Sequence, residues 1–191
     1  METATTERRD DLQWYKDNPY IVTYTGKKFY FLDPTPEMID IEDIAHALAN
    51  LCRFGGHTKR FYSVAQHSWL VSAFSKDALS GLLHDATKAY LVDIPKPIKG
   101  FLGNYTEMEE KIYKAIANKF GVPEIIPDDV KEVDVKMLFT EKKSLCADVD
   151  WGWEKETFDI KIEHCWGPQI AKANFLGLFN KLMRKKEDEH N

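Results

Sequence analysis

Apolar residues recur along most of this chain at the three- and four-residue spacing of an amphipathic helix. A helix is predicted from about residue 41, where Asp40 can cap it, to Gly55-Gly56. Ser63 followed by Gln66 is a capping-box pattern that starts the next helix. A break near residues 74–77 leads into another, with an apolar stripe from Leu79 to Ala89. Further helices are predicted over Tyr105–Phe120, from Asp128 or Asp129 to about Cys146, and from near Pro168 to about Lys185.

Three stretches depart from this helical pattern. Residues 20–32 are rich in β-branched and aromatic side chains around Thr25-Gly26, which predicts a short β-hairpin. Residues 92–103 form a loop rich in Pro and Gly, and residues 148–166, with three tryptophans, show no regular period. The charged ends, 1–18 and 186–191, are expected to be loose. The pattern therefore predicts an all-α helical bundle with a short N-terminal β-hairpin, as one domain over 1–191.

Charge and length narrow the classes of function. The 191 residues include 26 Lys and Arg against 31 Asp and Glu, a formal net charge of −5, which disfavours nucleic acid as a partner. No apolar run approaches the roughly 18–20 residues that span a membrane, and no signal-like segment opens the chain. Three scattered cysteines fit reduced thiols. We therefore expect a cytoplasmic protein that binds no membrane, in the host cytoplasm if a phage encodes it.

Two histidines are predicted to meet across a helical hairpin. His84 and Asp85 are adjacent in an apolar stretch, and His67 lies 17 residues earlier on the preceding helix. Helices joined by a short loop run antiparallel. The midpoint of 67 and 84 falls between residues 75 and 76, at the predicted turn, so the two imidazoles should lie side by side. Imidazole and carboxylate groups that converge in this way are good ligands for a divalent metal.

The helix predicted over about 128–146 offers two more carboxylates. Asp134 and Glu141 fall within its apolar stripe, where an ionised carboxylate is costly unless it is paired or bound to a metal. Asp134 is therefore a candidate ligand and Glu141 a candidate partner of a ligand or member of an ion pair. A single helical histidine is more often a packing residue. From spacing alone, two interpretations are equally good. The residues form a metal site, or they are core side chains whose polar groups are paired with one another.

The surrounding motifs carry a resemblance to a known group of enzymes. A histidine, then His-Asp, then Asp on successive helices is the signature of the HD phosphohydrolase superfamily. Residues 62–68, YSVAQHS, resemble the "SVAEHS" segment of YfbR-like 5′-deoxynucleotidases, and residues 83–99 resemble their "HDAxEAYxGDIPxPxK" block. Asp134 with Thr140-Glu141 is similar to their "ADxxLLxTE" helix. Residues 43–60 look most like short bacterial and phage members, which include phage dATP triphosphohydrolases.

The resemblance implies a set of site residues. Metal ligands would be His67, His84, Asp85 and Asp134, holding a divalent ion such as Zn, Co or Mn, with Mg possible alongside a triphosphate. Asp93 would orient the attack of water on phosphorus or act as general acid or base. Small-molecule deoxynucleotides are the implied substrates and homo-oligomers the implied assembly. The implied substrate-binding set is Arg53, Phe54, His57, Arg60, Lys88, Pro97 and Lys99.

Lys88 departs from the family pattern, which usually has Glu three residues after the HD aspartate. A lysine is a cation at neutral pH and cannot accept a proton unless its pKa is strongly depressed. Either another carboxylate such as Asp93 handles the water, or Lys88 binds phosphate oxygens as part of the catalytic machinery, or catalysis is weakened. An added cation suits a polyphosphate, which favours a dATP or dNTP triphosphohydrolase over a 5′-deoxynucleotidase acting on dNMPs. A catalytically decayed nucleotide-binding protein is the third alternative.

Overall fold

The fold is mostly helical, with one small sheet near the N-terminus. A computed structural model describes residues 16–17 and 19–189. Strands β1 (Tyr20–Val22) and β2 (Lys28–Tyr30) pair antiparallel, with Tyr20 opposite Tyr30 and Val22 opposite Lys28. The predicted combination of a helical protein with a short hairpin is therefore confirmed.

The helices follow the hairpin in an order close to the prediction. Two 3₁₀ turns cover Pro36–Met38 and Arg53–Gly56. The α-helices are α1 (Ile41–Asn50), α2 (Val64–Phe74), α3 (Ala78–Leu83), α4 (Lys88–Leu91), α5 (Lys96–Lys99), α6 (Tyr105–Phe120), α7 (Asp128–Leu145) and α8 (Pro168–Asp188).

Local sequence signals account for most helix starts. The side chain of Asp40 accepts a hydrogen bond from the Glu42 N–H, and that of Ser63 accepts one from the Gln66 N–H, as predicted. The capping box is not reciprocal, however. The Gln66 amide donates to the His164 carbonyl at 2.8 Å and accepts from the Trp166 N–H at 2.8 Å. It thereby ties the start of α2 to the irregular segment 148–166, which has neither helix nor strand, as predicted.

Four predicted boundaries are wrong, and the loop predicted over 92–103 contains the short helix α5. Helix α1 ends at Asn50 rather than at Gly55-Gly56, and a separate 3₁₀ turn covers Arg53–Gly56. Helix α3 ends at Leu83, so His84 and Asp85 lie in a turn rather than inside a helix. Helix α7 begins at Asp128, so Pro127 is its N-cap and makes no side-chain hydrogen bond, while Asp129 in the first turn accepts from the Lys76 N–H. Helix α8 continues to Asp188, past the predicted fraying point. The expected loose ends at 1–15, 18 and 190–191 lie outside the described residues.

The main core joins the hairpin to six helices, and Tyr90 of α4 stacks on Phe29 of β2 with ring centroids 3.9 Å apart. It contains fully buried side chains from β2, α1, α2, α3, α6 and α8, among them Phe29, Ile44, Leu48, Val64, Leu82, Ile112, Ile116 and Phe175. A smaller cluster of Val71, Val130 and Met137 packs α7 against α2. Helix α2, which carries His67, therefore packs against α3 in the main core and against α7 in the smaller cluster. Among the residues that the structure describes, no helix is long and apolar enough to cross a membrane.

Candidate metal centre

The two predicted histidines meet in the interior of the protein. His67 of α2 is fully buried and His84, just after α3, is 7% exposed. Their Nε2 atoms lie 3.2 Å apart. The turn between α2 and α3 spans residues 75–77, where the sequence placed it. The predicted pairing of His67 and His84 across the hairpin is therefore confirmed.

The other nitrogen of each ring faces an oxygen acceptor. His84 Nδ1 lies 2.7 Å from the Gly81 carbonyl oxygen, and His67 Nδ1 lies 2.6 Å from Glu141 Oε1. A carbonyl or carboxylate oxygen can only accept, so each Nδ1 carries the proton and donates it. In the neutral rings, both Nε2 atoms then present lone pairs to the space between them.

Two carboxylates complete this space. Asp85 Oδ2 lies 3.6 Å from His67 Nε2 and 3.5 Å from His84 Nε2. Asp134 Oδ1, reaching in from α7, lies 3.0 Å from His67 Nε2 and 3.7 Å from His84 Nε2. The Asp134 side chain is 40% exposed, so the cluster opens towards solvent on the α7 side.

The donor set fits a divalent metal ion. His67, His84 and Asp85 offer ligand atoms that all lie within 4.8 Å of one another, and Asp134 adds a fourth oxygen at 3.0 Å from His67. Ligand atoms bonded to one ion at about 2.0–2.2 Å lie roughly 3–3.6 Å apart, close to these spacings. Lone pairs and negative oxygens that converge in this way repel one another unless a cation sits among them. These four residues could therefore hold a metal ion.

A buried network around Glu141 supports the cluster from behind. Glu141 of α7 is fully buried and accepts from His67 Nδ1, from Tyr62 OH at 2.8 Å and from Arg53 Nη2 at 2.8 Å. Burial alone would raise the pKa of the Glu141 carboxyl, but Arg53 and His67 outweigh it and lower the pKa. The ionised carboxylate fixes the orientation and tautomer of His67, which is how a partner of a metal ligand acts.

Lys88 and Asp93 extend the cluster on the other side of Asp85. Lys88 Nζ lies 2.7 Å from Asp85 Oδ2 and 2.6 Å from Asp93 Oδ1. Burial alone would raise the pKa of the Asp85 carboxyl, but the Lys88 ammonium and the two histidines outweigh it and lower the pKa. Lys88 is therefore a cation paired with two carboxylates, and it links Asp93 to Asp85.

The remaining substrate-binding candidates fall into two groups. Arg53 is buried at the cluster, and Phe54 follows it with a φ of 54° and its ring 5.2 Å from the Arg53 guanidinium carbon. Lys99 instead pairs with Glu109 at 2.7 Å, and Arg60 donates to the Glu163 carbonyl at 2.8 Å. His57 and Pro97 are exposed. In the part of the chain that the structure describes, no hydrogen bond or ion pair joins Lys99, Arg60, His57 or Pro97 to the cluster.

Sequence reasoning missed Tyr62 and the Gly81 carbonyl. Tyr62 belongs to the motif around His67 but shows no local signal of a polar role, since its hydroxyl partner is 79 residues away. A backbone acceptor such as Gly81 carries no signature in a side-chain pattern. His46, treated as a packing residue, stacks on Tyr24 with ring centroids 3.8 Å apart.

Comparison with known proteins gives relatives over most of the chain. No model of a known protein family matches it. The chain is 45% identical over 136 residues to the uncharacterized protein YfdR of Escherichia coli (strain K12). The matched stretch covers 70% of this chain and 76% of YfdR. It is 39% identical over 147 residues to an uncharacterized protein of Rhodobacter capsulatus, covering 71% of this chain and 74% of that relative. At this identity and coverage, the chain belongs to the same protein family as YfdR of Escherichia coli.

Proposed function

We propose that this protein is an HD-type, metal-dependent phosphohydrolase that acts on deoxynucleotides. The observation that carries the proposal is the pair of Nε2 atoms 3.2 Å apart, with each Nδ1 facing an oxygen acceptor, next to Asp85 and Asp134. The order His67, His84-Asp85, Asp134 along the chain is the order of the HD signature, and the motifs around it resemble the nucleotidase branch.

Each residue of the cluster has a chemical task in this proposal. A divalent ion held by the four ligands would supply Lewis-acid polarisation of a phosphoryl oxygen and activation of water. Glu141 keeps His67 Nε2 directed at the ion site by accepting the Nδ1 proton. Lys88 holds Asp93 through Oδ1, which leaves the second oxygen of that carboxylate able to accept a proton from attacking water. Asp134 is the most exposed of the four candidate ligands, so substrate would approach from its side.

Two reactions at the α-phosphorus suit this centre. A dATP or dNTP triphosphohydrolase needs cations for the β- and γ-phosphates, and the sequence offers Lys88, Lys99, Arg60 and Lys59 for them. Lys88 and Lys99 are already bound to carboxylates, at 2.7 Å from Asp85 and at 2.7 Å from Glu109, and Arg60 donates to the Glu163 carbonyl. These pairings favour the second reaction, 5′-deoxynucleotidase action on dNMPs, within the proposed class.

A product assay tests the class and separates the two reactions. Purified protein is incubated with each dNTP, NTP and dNMP in Mg²⁺, Mn²⁺, Co²⁺ or Zn²⁺, and products are resolved by anion-exchange chromatography. Nucleoside with orthophosphate from dNMPs identifies the deoxynucleotidase, and nucleoside with intact triphosphate identifies the triphosphohydrolase. No turnover in any combination would contradict the proposal and leave a binding protein with a decayed site.

A ligand variant links the activity to the cluster. Asp134→Asn keeps the size of a partly exposed side chain, so the fold should persist while bound metal and turnover fall together. His46→Gln is the matched control, since His46 stacks on Tyr24 away from the cluster and should retain wild-type metal content and rate. Full activity of Asp134→Asn would place the reaction elsewhere in the molecule.

A further inference from the structure

We propose that the Lys88 ammonium stands in the position of a second metal ion, so that the centre binds one divalent ion per chain. The inference rests on the metal site of the proposed function and concerns its stoichiometry. Lys88 is also the residue at which this chain departs from the HD pattern, so the family motif makes no statement about it.

The ammonium occupies a carboxylate-lined position beside the ligand set. Lys88 Nζ lies 2.7 Å from Asp85 Oδ2 and 2.6 Å from Asp93 Oδ1. The three side chains are 11%, 13% and 14% exposed, so little solvent screens them. Carboxylate oxygens are the ligands that hard divalent cations prefer, so the ammonium fills a position lined by donors of that kind.

Asp85 Oδ2 is shared between this position and the histidine site. The same oxygen lies 3.5 Å from His84 Nε2 and 3.6 Å from His67 Nε2 on one side, and contacts the Lys88 ammonium on the other. Two-metal sites place their ions about 3.5–4 Å apart, close enough to share one ligand oxygen. The ammonium therefore has the neighbours that the second ion of such a pair would have, with half its charge.

The charge balance of the cluster leads to the same stoichiometry. Four carboxylates converge here, and two fixed cations, Arg53 and Lys88, contact three of them. Two negative charges remain, which one divalent ion neutralises. A second divalent ion would leave a buried excess of positive charge next to Lys88 and Arg53, which the interior disfavours. The four carboxylates are Asp85, Asp93, Asp134 and Glu141.

The test counts bound metal in the full chain. Metal-free protein is dialysed against Mn²⁺ and analysed by elemental mass spectrometry, and electron paramagnetic resonance distinguishes single ions from exchange-coupled pairs. The wild type should bind one Mn²⁺. Lys88→Met removes the charge but keeps the volume, and should bind two with a coupled spectrum. Adding Asp93→Asn to Lys88→Met should return the count to one, and Lys172→Met, a lysine paired with Glu42 outside the cluster, should leave it at one.

Each other outcome is decisive. Two ions in the wild type, or one ion in folded Lys88→Met, would overturn the role of Lys88 while leaving the metal site intact. No bound ion in the wild type would overturn the metal site and the proposed function with it. Circular dichroism checks that each variant is folded. If Lys88→Met does not fold, Lys88→Gln replaces it. The number of Mn²⁺ ions bound by the wild type tests the predicted stoichiometry by itself.

Discussion

At the scale of single residues, one buried carboxylate organises the interior of the site. Glu141 accepts from His67, Tyr62 and Arg53, three groups that come from separate parts of the chain. The sequence identified Glu141 because a charged residue in an apolar helical stripe needs a partner. It could not name Tyr62 or pair Arg53 with Glu141, since those partners lie 79 and 88 residues away and no local pattern joins them.

Replacing Glu141 by Gln should weaken the protein and its metal site together. Gln keeps the size but removes the charge that pairs with Arg53, so the free energy of unfolding should fall by about 3–5 kcal/mol, as for a broken buried ion pair. The loss of a charged acceptor for His67 Nδ1 should lower metal affinity by about 10–100-fold. Urea denaturation and Mn²⁺ titration measure the two effects.

A second glutamate provides the control for this change. Glu109 pairs with Lys99 at 2.7 Å, but both side chains are about a quarter exposed, at 25% and 24%. Glu109→Gln should cost less than about 1 kcal/mol of unfolding free energy and leave metal affinity unchanged. Equal losses in the two variants would mean that the Glu141 network has no special part in the site.

At the scale of elements, the α2–α3 hairpin brings the two histidines together. Apolar spacing predicted both helices and the position of the turn, and the symmetry of 67 and 84 about that turn predicted their contact. The same spacing wrongly continued the helix past Leu83, because apolar residues recur up to Ala89 across the turn that holds His84 and Asp85. Periodicity reports which residues are buried and does not register a local break in the backbone.

Gly81 is the position in this hairpin where a larger residue has no room. A Cβ added there would lie 2.9 Å from Ser72 Cα and 2.9 Å from Ser75 Oγ. Gly81→Ala should therefore push α3 away from α2, lowering the free energy of unfolding by about 1–3 kcal/mol. Since the Gly81 carbonyl also holds His84 Nδ1, metal affinity should fall as well. Thermal melting and Mn²⁺ titration test both effects.

The control for this variant is a glycine of α8 with open surroundings. Gly177 has nothing within 4 Å of an added Cβ. Gly177→Ala should stabilise the protein by about 0.5–1 kcal/mol, because alanine loses less conformational freedom in a helix. A stabilised Gly81→Ala variant with intact metal binding would show that α2 and α3 do not need their close approach.

At the scale of the whole molecule, the site exists only when distant segments assemble. Helix α7 delivers Asp134 and Glu141 to the α2–α3 hairpin, and Lys88 and Asp93 come from the segment after it. The sequence predicted that His67, His84, Asp85 and Asp134 lie close together, and they do. It did not predict that Lys88 would be neutralised by Asp85 and Asp93 or that Lys99 would pair with Glu109, because charge pairing depends on the packed arrangement.

This assembly predicts that stability depends on pH differently in the metal-free and the metal-bound protein. Burial and Arg53 lower the pKa of His67, but Glu141 and Asp134 outweigh them, so its folded pKa lies above the ordinary 6.5. A raised folded pKa adds stability that is fully present below pH 6.5 and is lost as pH rises through the folded pKa. The pKa of Glu141 is lowered from the ordinary 4.5, so this group adds stability that is present above pH 4.5 and is lost as the pH falls through the folded pKa.

The metal-free protein should therefore be most stable between these two values and should weaken above pH 6.5, by at most about 1.4 kcal/mol per pH unit for one proton. A divalent ion takes the place of that proton, so the metal-bound protein should keep its stability there and the ion should stabilise more as pH rises. Urea denaturation from pH 5 to 9, with chelator or with Mn²⁺, measures both curves. Parallel curves would mean that the ion does not compete with a proton on His67, and therefore that the ion does not bind at its Nε2.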